Sequence, residues 1–172
     1  MVVTYTGLTS EENISKIEVL QRKCVRIMSF SAFNSHTNEL FIDLGLIKIR
    51  DLISMNQLKL VYDFHNNRLP SDLMSLFTLS KDVHTQSREL NSAVNSLLYI
   101  PKVKTKTYGL HSIRFHCTKL WNLKFKYGSI QVDDDKKNNV KLSNIKNKNS
   151  FNNILKKHFL HSYSIEPEVI FY

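Results

Sequence analysis

Arg50-Asp51-Leu52-Ile53-Ser54-Met55-Asn56-Gln57-Leu58-Lys59-Leu60-Val61-Tyr62-Asp63-Phe64-His65-Asn66 decides the fold class. Leu52, Ile53, Met55, Leu58, Leu60, Val61 and Phe64 recur at helical spacing over a wide arc. So wide an apolar face belongs to a helix central to the core. Asn66-Asn67 and Pro70 stop it. Pro70 then opens a short helix carrying Leu73, Leu76 and Phe77.

Working outward, Thr9 and Glu12 have the spacing of a capping box, so a first helix begins after Thr9. Ile14, Ile17, Leu20 or Gln21, Cys24, Ile27 and Met28 give its apolar stripe, and it ends near residues 29–31. A short second helix has Ser35 as its cap, Leu40, Phe41 and Leu44 as its contacts, and Gly45 just past its end. Residues 85–96 are mostly polar and read as a loop. Residues 97–100 read as a short extended segment that stops at Pro101, and alternation over residues 102–108 fits an edge strand or extended basic loop. A fourth main helix spans residues 112–123, with Ile113, Cys117, Leu120 and Trp121 on one side. Asn, Lys and Asp dominate residues 128–149, the composition of a poorly ordered insert. Ser150 then caps a last amphipathic helix carrying Phe151, Ile154, Leu155, Phe159 and Leu160.

The expected fold is therefore mainly α: about five helices, with an extended or hairpin segment near 97–108 and a flexible insert near 128–149. Residues 1–127 form the helical domain, and a helix at 150–163 packs back on it. Ile17, Cys24, Leu60, Phe64, Leu120 and Trp121 are core candidates.

Charge is placed asymmetrically. Residues 1–80 carry eight basic and eight acidic side chains, whereas residues 81–172 carry 16 and seven, so the whole +9 excess lies in the second part. From Lys102 to Lys126 there are seven basic residues and no acidic one. An acidic partner, RNA or DNA, is the simplest implication. Phosphate contacts need surface Lys and Arg, and stacking on unpaired bases needs exposed aromatics. Arg88, Lys102, Lys104, Lys106, Arg114 and Lys119 are the candidate contacts, and Tyr108 and Phe115 the candidate stacking platforms. Against this stand a solvated basic surface, core roles for the aromatics, and pairing of Arg88 with Glu89 or a backbone carbonyl.

Catalytic chemistry finds little to work with. His116 and Cys117 are adjacent and point apart on a helix, and there is no CxxC pair or His-Glu-x-x-His, so no metal or cofactor is expected. Asp133-Asp134-Asp135 lies beside Lys136 and Lys137 in a polar run, unlike rigid two-metal carboxylates. Four glycines make no phosphate loop, and no nucleophile motif organises Ser, His and Asp. Two cysteines form no disulfide framework and suit a reducing compartment. The first residues lack a signal-peptide pattern, and no apolar run reaches membrane-span length, so a nuclear or cytoplasmic protein without a membrane partner is expected.

Several short motifs follow one another along the chain. They are Ile17-Glu18-Val19-Leu20-Gln21-Arg22-Lys23-Cys24-Val25-Arg26-Ile27, Ser35-His36-Thr37, Leu40-Phe41, Leu44-Gly45-Leu46-Ile47-Lys48-Ile49, and Tyr62-Asp63-Phe64-His65-Asn66-Asn67-Arg68-Leu69-Pro70. His84, Arg88, Pro101-Lys102-Val103, Gly109-Leu110-His111-Ser112-Ile113-Arg114-Phe115 and Leu120-Trp121-Asn122 follow. Over most of residues 14–126 and 150–160 the chain resembles the region after the polymerase domain in jockey-like, non-LTR (LINE-type) retrotransposon reverse transcriptases. That resemblance implies a non-catalytic piece that helps hold template RNA and target DNA, downstream of endonuclease and polymerase domains. The palm aspartates of such polymerases are absent, so the chain alone is expected not to be an enzyme. It also implies an alternative, a helical domain that packs against the polymerase and touches nucleic acid little, and a further one, a remnant without function. Relatives have a Leu-Pro pair after Trp-Asn, whereas Leu123 here is followed by Lys124-Phe125-Lys126 and the polar stretch. Met1 is then read as the start of a truncated element.

Overall fold

The computed structural model describes residues 11–83, 97–105, 109–110, 112–124, 129–131, 139–141, 145 and 147–165. Helix α1 is Glu11–Met28, α2 Thr37–Asp43, α3 Ile49–His65, α4 Ser71–Met74, α5 Ser80–Val83 and α6 Ile113–Lys124. Strands β1 (Ser129–Gln131) and β2 (Asn139–Lys141) precede α7, Lys148–Ile165. The domain is small and mainly α-helical, as expected.

Helix α3 is the hub. It packs against α6, α7 and α1. Leu58, Val61 and Tyr62 are buried along it, with Phe64 close behind. The Tyr62 ring stacks on Phe151 of α7 at 4.1 Å, and His65 stacks on Trp121 of α6 at 4.9 Å. Trp121 is fully buried, and Leu60 and Leu120 pack against the same cluster. Removing several large aromatics from water together is a strong driving term for a domain of this size.

Helix ends follow local chemistry. Gly45, at φ 59°, ends α2 with Gly45 N–H donating to Ile42 O and Leu46 N–H to Phe41 O, both at 2.9 Å. Asn67, at φ 53°, ends α3 in the same way. These are the left-handed terminations in which glycine and asparagine are favoured. Helix α7 starts two residues before the expected Ser150, because the Asn147 side-chain oxygen accepts the Asn149 N–H at 3.0 Å. The Ser35 cap does not form either: α2 starts at Thr37 after His36, which makes no side-chain capping bond. The capping Thr9 lies outside the described residues.

Helix α1 corrects one expectation. Ile17 is 42 % exposed and Cys24 is also exposed, so neither is core. The inward face is Ile14, Gln21 and Val25. Gln21 decides the rotation, because its amide donates to Ile47 O and accepts from Ile49 N–H, both at 2.9 Å. Arg50 adds bonds to Glu11 at 2.7 Å and Glu18 at 3.1 Å. This polar clamp turns the apolar stripe of Ile17, Leu20, Cys24 and Ile27 towards solvent.

Residues 97–100 are extended, as expected, and make one antiparallel bridge, Leu98 with Leu79. One further expectation changes, at the polar stretch 128–149. Strands β1 and β2 pair there, antiparallel with Ile130 opposite Val140. Within the stretch expected to be a loose insert, Ile145 is buried and its carbonyl accepts the Tyr62 hydroxyl at 2.9 Å. Finally, Tyr163 of α7 is buried: its hydroxyl donates to Asp51 at 2.6 Å and accepts from Lys48 N–H at 3.0 Å.

Candidate functional site

The basic segment is built as one loop–helix unit. At its start, the Asn122 side chain clamps Leu98: Oδ1 accepts Leu98 N–H at 3.0 Å and Nδ2 donates to Leu98 O at 2.7 Å. An amide side chain thus supplies what a neighbouring strand would. At its end, Thr105 O accepts the N–H groups of Gly109 and Leu110 at 3.2 and 3.3 Å. A Cβ on Gly109 would sit 2.7 Å from Val103 Cβ, so only glycine allows this approach. Ser112 caps α6: its hydroxyl accepts Phe115 N–H at 3.3 Å and donates to Gly109 O at 2.8 Å.

The loop is therefore tied to both ends of α6. Lys102 and Lys104 stand exposed on the loop, and Lys119 is exposed on α6. Phe115 lies one turn before Lys119 on the same helix face, half-buried and edge-on to His116 at 6.2 Å. Arg114 is also half-buried. These five candidates are brought onto one unit; Arg88, Lys106 and Tyr108 lie outside the described residues. The motif residues Gly109, Ser112 and Asn122 shape the frame, while Lys102, Lys104 and Lys119 face outwards. Such a frame can offer fixed cations to a phosphate backbone.

Helix α6 also holds Cys117, whose thiol burial pushes up to about 12. It stays protonated near neutral pH and is no nucleophile. Among the described residues no group of three His, Cys, Asp or Glu side chains could hold a metal. No described helix is long and apolar enough to cross a membrane.

A second surface was not foreseen from the sequence. Leu20, Ile27 and Met28 are more than half exposed on α1. In the turn that follows, Phe30 is 99 % and Phe33 81 % exposed. Lys23, Arg26, Ile27, Phe30, Ser31 and Phe33 line an open pocket of about 560 Å³. The available signal was the absence of any acidic residue between 19 and 38, combined with two phenylalanines in a serine-rich turn.

No family model, curated protein or solved structure matches the chain.

Proposed function

We propose that this chain is a non-catalytic, nucleic-acid-holding module of the kind that follows the polymerase in non-LTR retrotransposon reverse transcriptases. The observation that carries it is the acid-free loop–helix unit, which holds Lys102, Lys104 and Lys119 outwards on a hydrogen-bonded frame. The family origin rests on the ordered motifs from Ile17 to Asn122. Phosphate contacts of this kind position RNA or DNA without reading its sequence.

The test is fluorescence anisotropy of the full chain with single-stranded RNA, single-stranded DNA and duplex DNA over a salt series. Binding should weaken steeply with salt. Replacing Lys102, Lys104 and Lys119 with Gln should flatten the salt slope on single strands by about 2, at about 0.7 per lost phosphate contact. An unchanged slope with unchanged circular dichroism would overturn the assignment.

The outward apolar face of α1 favours a second reading, a packing domain for the polymerase. On that reading Leu20→Asp with Ile27→Asp abolishes co-elution with a separately expressed polymerase domain. It leaves RNA binding intact.

A further inference from the structure

Three non-helical positive-φ residues stand among the described residues: Gly45, Asn67 and Phe30. Phe30 has φ 51°. Its N–H donates to Ile27 O at 3.2 Å, and Ser31 N–H donates to Arg26 O at 3.0 Å. This is the helix termination that ends α2 and α3, where the chain uses glycine and asparagine. A phenylalanine there meets a steric penalty. Its ring, 99 % exposed, recovers nothing by burial. Strain that local packing does not offset is a mark of sites selected for contact with something else.

The surroundings say what that something is. Phe33, three residues on, is also largely exposed, and the Arg26 guanidinium lies 6.0 Å from its ring centroid. Arg26 is itself held by its Nε donating to Ser35 O at 3.0 Å. Lys23 adds a second cation to the pocket lining, which contains no acidic side chain. Two open aromatic faces beside two cations match a planar π-system that carries a negative charge. An unpaired nucleobase with its phosphate has that chemistry. A duplex hides its base faces, and an aliphatic peptide would gain nothing from Lys23 and Arg26.

We propose that this pocket seats an unpaired base of single-stranded RNA or DNA, stacked against Phe30 and Phe33, with Lys23 and Arg26 on the adjoining phosphate. The site rests on the nucleic-acid reading above and adds a preference for single strands to it. The loop lysines grip any backbone; the pocket grips only an exposed base.

The test is anisotropy with a labelled oligouridine of about 12 nucleotides and with a duplex RNA, at about 50 mM salt. Proteins are wild type, Phe30→Gly, Phe33→Ala and the triple variant with Lys102, Lys104 and Lys119 replaced by Gln, each checked by urea unfolding and light scattering. Each phenylalanine variant should lose about tenfold in single-strand affinity and keep its duplex affinity. The triple variant should lose both. Wild-type affinity in both phenylalanine variants overturns the pocket and leaves the module's function standing. Absence of wild-type binding to either RNA overturns both. A wild-type dimer that Phe30→Gly converts to monomer, with single-strand affinity unchanged, makes the pocket a protein contact and overturns the proposal.

Discussion

Phe30→Gly should stabilise the protein. The left-handed conformation costs a side-chain-bearing L-residue roughly 1–2 kcal/mol, and glycine escapes that cost. The ring is 99 % exposed, so its removal forfeits almost no buried area. The two closing hydrogen bonds are backbone–backbone and survive the change. Glycine adds freedom to the unfolded chain, which takes back roughly 0.5–1 kcal/mol. The net gain lies between about 0 and 1.5 kcal/mol, centred near about 0.75 kcal/mol. Urea unfolding followed by Trp121 fluorescence measures it, because the single tryptophan is fully buried. The midpoint should rise with m unchanged, and the central value corresponds to a Tm rise of about 1.5–3 °C. Phe30→Ala keeps the left-handed penalty and should stay within about 0.5 kcal/mol of wild type. A Phe30→Gly protein less stable than wild type would show the ring packed or the conformation unstrained. Combined with lost single-strand affinity, a gain would show function held at the expense of stability.

Other substitutions probe other links. Trp121→Ala should destabilise by about 3–5 kcal/mol, because its ring is fully buried between α3 and α6, and a near-wild-type urea midpoint would refute that packing. Gly109→Ala should cost about 1–3 kcal/mol by forcing Val103 away, and a double-mutant cycle with Val103→Gly should recover part of it. At pH 8, exposed Cys24 should react with a disulfide reagent while buried Cys117 reacts only after unfolding. Because burial raises the folded pKa of Cys117 from 9.0 to about 12, its contribution is full below about pH 9. Above that the unfolded thiol ionises first, and stability should fall by about 1.4 kcal/mol per pH unit until the folded thiol titrates. Cys117→Ala should remove that part of the slope in urea titrations between about pH 9 and 10.

Helix α3 was legible because several of its faces meet apolar neighbours, so every reading of its pattern led inwards. Helix α1 was legible as a helix but its inward face was not, because a single glutamine outweighed Ile17, Leu20, Cys24 and Ile27. Periodicity records which residues could be buried, whereas Gln21 bonds both Ile47 and Ile49 and fixes which ones are. The same limit hid Ile145, one apolar residue in a polar run whose role comes from Tyr62, far away in sequence. At the candidate site, the lysines were readable as charges. The reason they stand outwards was not, since it lies in the Asn122 clamp and the closeness of Gly109 to Val103. Phe30 was invisible because its strain is a property of φ, which composition does not carry.

Tyr163 has a consequence in time. Its bonds to Asp51, Lys48 and Asn38 span 112, 115 and 125 residues. On a ribosome adding about 5–20 residues per second, roughly 6–23 s pass between the synthesis of Lys48 and that of Tyr163. Through that interval the side of Phe41 that meets Tyr163, at 6.3 Å between ring centroids, has no cover. The Tyr62 face that Phe151 stacks on waits a shorter time, roughly 4–18 s at the same rate. Contacts this distant in sequence close late and slow the search for the native state. The aromatic core of this domain therefore stays open for seconds during synthesis and closes only once the last helix is made.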